Sequence, residues 1–187
     1  MKNIVIIDNY DSFTYNLVHY ISPIVDNLIV MRNDQINHDI LSKSSHILLS
    51  PGPGLPSDSN DLLSVIDNYH RSHNIMGICL GHQAIGFYFG FELKNLSKVR
   101  HGVSSKVNIL NHSILYKNLP KSFLIGHYHS WVIKNLNDNF VVTATDNEGE
   151  IMSFRHKKYS LYGLQFHPES ILTENGRSIL NNWIMSK

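Results

Sequence analysis

The strongest constraint on the fold is an alternation that fills the first half of the chain, in which short unbroken apolar runs are separated by stretches of helical periodicity. Residues 3–7 (NIVII), 28–31, 46–50 (HILLS) and 75–79 read as strands. A short continuous apolar run, rather than a polar–apolar alternation, belongs to a strand covered on both faces. Residues 12–21 read as a helix with Ser12 as an ordinary N-cap, because Phe13, Leu17, Tyr20 and Ile21 share one face and Pro23 follows the end. Residues 62–69 put Leu62, Leu63, Ile66 and Tyr69 on one side, and residues 82–89 form a further helix. Strand–helix alternation of this kind predicts an α/β fold with a mostly parallel central sheet flanked by helices on both faces.

The second half changes character. Residues 106–110, 123–133, 140–144, 150–154 and 161–166 are strand-like, with polar turns such as 135–139 and 146–149 between them. Helical periodicity returns only at 175–185. This half is expected to be strand-rich, partly antiparallel and part of the same sheet. A length of 187 residues suits one domain spanning residues 1–187. A hydrophobic share of 42% argues against disorder. Lys and Arg total 16 against 15 Asp and Glu, a net charge of +1, so no nucleic-acid footprint is present. The opening MKNIVIIDNYDSF has too short an apolar run for a signal-peptide core or a membrane span. The expectation is a soluble cytoplasmic protein.

The only cysteine, Cys79, lies in 75-IMGICLGHQ-83, bracketed by Gly77 and Gly81. One cysteine cannot form an internal disulfide. In open α/β sheets, sites form at the carboxyl ends of strands, and Cys79 sits at such an end with a helix beginning just after it. Flanking glycines give a sharp strand-to-helix turn the room it needs, as in a nucleophile elbow. The helix N-terminus aims amides at the site and favours a thiolate. The amide of Leu80 is placed to hold an oxyanion. Taken alone, G-x-C-x-G is more often the setting of a buried structural cysteine. A nucleophile also needs a base, and 165-QFHPES-170 offers His167 at the end of an apolar strand, with Glu169 two residues on to hold the imidazole tautomer. A third stretch, 50-SPGPGLP-56, follows HILLS; Gly52 and Gly54 can expose backbone amides while Pro51 and Pro53 stiffen the loop. It fits neither a dinucleotide nor a P-loop pattern. Cys79 and His82 lack further thiols or a suitable histidine pair, so no metal and no cofactor is expected.

Together 8-DNYDSFTYNL-17, 50-SPGPGLP-56, 77-GICLGHQAIG-86, 127-HYHSW-131 and 165-QFHPESILTENG-176 resemble the class I glutamine amidotransferases over nearly the whole chain. Within them the likeness is to the glutaminase subunits of anthranilate synthase, with those of aminodeoxychorismate synthase close by. The resemblance implies that Cys79 attacks the glutamine carboxamide, His167 moves the protons and Glu169 orients His167. It further implies an oxyanion held by the amides of Leu80 and the SPGPG loop, with Gly52 foremost, and Pro53 and Gly54 beside it. Gln83, Ser130 and Trp131 would contact the substrate L-glutamine, although simple packing is an equally good account of the Trp131 side chain. The implied partner is a larger chorismate-binding synthase subunit on a separate chain, in a hetero-oligomer. HYHSW departs from the family at His127, where arginine is common, and at Trp131, where leucine is common. The nearest rival is the aminodeoxychorismate glutaminase, or one chain serving both partners; two others are a free-standing cysteine hydrolase, which would turn over alone, and a binding module that has lost its chemistry.

Overall fold

A computed structural model describes residues 2–186. Nine strands form one sheet in the order β2-β1-β3-β4-β9-β8-β7-β5-β6. These are β1 (Asn3–Asp8), β2 (Asn27–Arg32), β3 (His46–Leu49), β4 (Asn74–Ile78), β5 (Glu92–Ile109), β6 (Ser122–Lys134), β7 (Phe140–Asp146), β8 (Ile151–His156) and β9 (Leu161–Leu164). Pairings β1–β2, β1–β3, β3–β4 and β4–β9 are parallel, and the rest are antiparallel. The helices are α1 (Thr14–Ile21), α2 (His38–Leu41), α3 (Leu62–Tyr69), α4 (Leu80–Tyr88) and α5 (Gly176–Ile184). The predicted α/β architecture, with a parallel half and a partly antiparallel half in one sheet, is the one observed.

Strand periodicity explains why both faces are covered. Ile4 and Ile6 of β1 face one way, and pack with Leu17 and Ile21 of α1 and with Ile179, Leu180 and Trp183 of α5. Val5 and Ile7 face the other way, and pack with Leu41 of α2, Leu62, Val65 and Ile66 of α3 and Ala84 and Ile85 of α4. Each such aliphatic side chain, fully withdrawn from water, contributes about 1.5–3 kcal/mol. Among the described residues no helix is long and apolar enough to cross a membrane.

Three elements differ from expectation. The predicted strand at 106–110 is only the end of β5, which begins at Glu92. Residues before Lys106 are mostly exposed and show no apolar alternation; pairing with β6, with two register shifts, is what makes them a strand. The short helix α2 carries too few apolar residues to announce itself, and is set by Asn37, whose side chain accepts from the amides of Asp39 and Ile40. Ser12 is not the N-cap of α1. Phe13 holds that position without a side-chain cap, and the Asp11 carboxylate accepts the Phe13 amide at 2.8 Å.

Candidate active site

Strands β1, β3, β4 and β9 are neighbours and run parallel, so the segments that leave their carboxyl ends meet at one edge of the sheet. Those segments are the loop after Asp8, SPGPG after Leu49, Cys79 after Ile78, and QFHPES after Leu164. Topology alone therefore collects the three stretches expected from sequence to form the site.

Cys79 occupies a strained turn, with φ 50° and ψ −100°. A non-glycine residue there costs about 1–3 kcal/mol, and the surroundings must hold it. Its amide donates to the Leu164 carbonyl at 2.8 Å, and its carbonyl accepts the Gln83 amide at 3.0 Å. The glycines on either side are required by contact. A Cβ on Gly77 would overlap the backbone of Gly81, and one on Gly81 would overlap the Leu49 backbone. Leu80 opens α4, so its N–H has no acceptor within the helix.

The SPGPG loop is fastened to the first loop. The Asn9 amide donates to Ser50 Oγ at 2.9 Å, and Asn9 Nδ2 donates to the Ser50 carbonyl at 2.8 Å. Gly52 then lies so close that a Cβ would stand 2.5 Å from Asn9 Cβ and 2.9 Å from Leu80 Cδ2. The backbone of Gly52 and the start of α4 are thus neighbours, as a two-amide oxyanion site requires.

His167 Nδ1 donates to Glu169 Oε1 at 2.6 Å, and both residues are buried. The segment is held in place by Thr173, whose hydroxyl donates to the His167 carbonyl at 2.6 Å and accepts the Gly126 amide at 2.9 Å. With Nδ1 engaged, Nε2 is left for chemistry. Burial opposes the imidazolium, but Cys79 and then Glu169 outweigh it and hold His167 well above its ordinary pKa. Rings of Tyr128 and Phe13 pack against the imidazole at 4.9 and 6.2 Å between centroids. The strand expected to run up to His167 stops at Leu164, so Gln165 and Phe166 already belong to the turn.

A cavity of about 340 Å³ opens onto these groups, lined by Gly52, Pro53, Cys79 and His167 together with Tyr10, Asp11, Ser12, Phe13, His101 and Tyr128. Burial raises the Asp11 carboxyl above its usual range, and Glu169 adds to that while the Phe13 amide and His167 oppose it. Gly54, Leu80, Gln83, Ser130 and Trp131 are not among the lining residues. Gln83 is buried, with Nε2 donating to the Trp131 carbonyl at 3.0 Å and to Gln165 Oε1 at 3.2 Å. Sequence reasoning assigned nothing to Gln165, Asp11, Tyr128 or His101. Gln165 had one available signal, its place two residues before His167, but its partner Gln83 is 82 residues away.

A family model described as glutamine amidotransferase class-I matches residues 5–187. Anthranilate synthase component 2 of Pyropia yezoensis is 42% identical, over 97% of this chain and 98% of its own length. Aminodeoxychorismate/anthranilate synthase component 2 of Bacillus subtilis (strain 168) is 40% identical, over 97% and 95%. A crystal structure from Thermoplasma acidophilum, provisionally described as one subunit of a GMP synthase, superposes with a TM-score of 0.89 at 27% identity and covers 98% of this chain and 92% of that one.

Proposed function

The chain belongs to the class-I glutamine amidotransferases, and we propose that it is the glutaminase subunit of an anthranilate synthase. In this reading one amidotransferase domain spans residues 1–187 and works in the cytoplasm, where its thiol stays reduced. The observation that carries it is the strained Cys79 beside a buried His167–Glu169 pair with a 2.6 Å hydrogen bond.

The Cys79 sulfur attacks the carboxamide carbon of L-glutamine as a thiolate. The oxyanion rests on the amides of Leu80 and Gly52. His167, protonated at Nε2, gives that proton to the departing nitrogen, so the C–N bond breaks as ammonia leaves and a glutamyl thioester remains. Water then attacks the thioester, His167 takes its proton, and the C–S bond breaks to release glutamate. Glu169 keeps Nδ1–H pointed at itself and stabilises the imidazolium. Pro53, Gly54, Gln83, Ser130 and Trp131 would close around the glutamine backbone once it is bound.

Ammonia passes to a larger, separate chorismate-binding subunit in a hetero-oligomer. The Bacillus subtilis relative, whose name carries both activities, favours a second reading in which the chain also serves an aminodeoxychorismate synthase. Glutaminase turnover of the purified chain, alone and with each synthase subunit, tests the proposal. Activation by the anthranilate partner supports it, and activation by both supports dual use. Full turnover of the lone chain, unchanged by any partner, points instead to a free-standing hydrolase.

A further inference from the structure

One backbone carbonyl, that of Trp131, sets the direction of a buried hydrogen-bond chain that ends on the nucleophile. A carbonyl only accepts, so the Gln83 atom 3.0 Å from it must be the amide nitrogen. The second N–H of the same nitrogen meets Gln165 3.2 Å away, and there Oε1 must be the acceptor. The remaining end of the Gln165 amide is therefore its NH2, and it faces Cys79 Sγ at 3.8 Å.

The same carbonyl takes a second donor, His129 Nδ1 at 3.0 Å. A neutral His129 then accepts at Nε2, so His127 must donate from Nδ1, 3.0 Å away. His127 accepts in turn at Nε2 from the Ser105 hydroxyl at 2.7 Å. Burial, and then neighbouring charges, push His127 down to about 4 and His129 to about 3, so both rings are neutral at physiological pH and the order of donors is maintained. Gln83, Gln165, His127 and His129 are all buried.

We propose that Gln165 is a further catalytic residue, whose amide N–H stabilises the Cys79 thiolate, with Gln83 and the His127–His129 pair as positioning residues that hold that amide in its donating orientation. A thiolate in a dry site needs donors, and the elbow supplies few once the Leu80 amide is reserved for the oxyanion. Without the Trp131 carbonyl as anchor, the Gln165 amide could turn its oxygen to the sulfur and repel the thiolate. This explains the buried His127 as a link in the chain rather than an idle substitution.

The proposal rests on Cys79 being the nucleophile, and the experiment separates the two ideas. Gln165→Glu keeps volume and the acceptor toward Gln83, but replaces the N–H at the sulfur with a carboxylate oxygen. Gln165→Leu removes both groups. Alkylation of Cys79 by iodoacetamide is followed against pH in the full chain, and glutamine turnover is measured with the synthase subunit present. Both variants should move the alkylation profile to higher pH and lower kcat about tenfold with little change in KM. His129→Phe, which deletes a donor to Trp131, should move the profile the same way but less. An unmoved profile and unchanged kcat in Gln165→Glu overturn the proposal, and that variant decides alone if Gln165→Leu does not fold. Turnover that survives Cys79→Ala overturns the nucleophile assignment instead, and the Gln165 role with it.

Discussion

At His167 two influences meet. Burial disfavours the imidazolium, whereas the Cys79 sulfur and the Glu169 carboxylate favour it, and the favourable pair prevails. His167 therefore holds its proton more tightly than a free imidazole, as the proposed delivery of that proton to the leaving nitrogen requires. In the proposed mechanism Glu169 acts only through this ring. Glu169→Gln keeps size and a hydrogen bond but loses the charge, so it should lower kcat less than His167→Ala or Cys79→Ala, which remove chemical participants. The losses should not add, because the three act as one unit: Cys79→Ala with Glu169→Gln should be as inactive as Cys79→Ala alone. Alkylation at neutral pH gives a second reading. His167→Ala should slow it strongly and Glu169→Gln partially. A silent Glu169→Gln in both assays would remove Glu169 from the site.

At the scale of elements, the site depends on how closely three turns can approach. Gly52 is wedged between Asn9 and Leu80, and Gly52→Ala must push the loop away from the elbow. Overpacking of this kind costs about 1–3 kcal/mol. The displaced amide should also lower kcat about 10²-fold, the scale of losing one oxyanion donor. Melting curves and kinetics on the same sample check both effects, and unchanged kcat in the folded variant would exclude Gly52 as a donor. The elements that made this site readable from sequence are local ones. HILLS, the glycines around Cys79 and the apolar run before QFHPES each encode a strand end and its turn within a few residues. The rest depends on pairing. Residues 92–105 are mostly exposed, with apolar residues at no regular spacing, and become strand only against β6. The link from Gln83 to Trp131 spans 48 residues, and no local pattern reports it.

For the molecule as a whole, the buried histidines set an acid limit. Burial pushes His82 and His129 down to about 3, with His127 and His46 near 4. These groups stay neutral in the folded protein, while in the unfolded chain they take up protons below about pH 6.5. The unfolded state then binds more protons, so stability falls as pH drops below that point and continues to fall toward the folded values. Each such histidine weakens folding by about 1.4 kcal/mol per pH unit in that window. Urea midpoints should decline steeply between about pH 6.5 and 5. Midpoints that stay level would mean that these rings are solvated or charged in the fold.

The partner subunit is the other whole-molecule expectation. A glutaminase that runs alone wastes glutamine, so the isolated chain should be slow and the synthase subunit should raise kcat/KM. A tenfold rise corresponds to about 1.4 kcal/mol of transition-state stabilisation. The central claim, that Cys79 serves ammonia supply and nothing else, is tested most directly by Cys79→Ser in the assembled complex. Glutamine-dependent anthranilate formation should be abolished, while formation from added ammonium should continue at the wild-type rate. Loss of both activities with the complex intact, or survival of the glutamine-dependent one, would contradict the account.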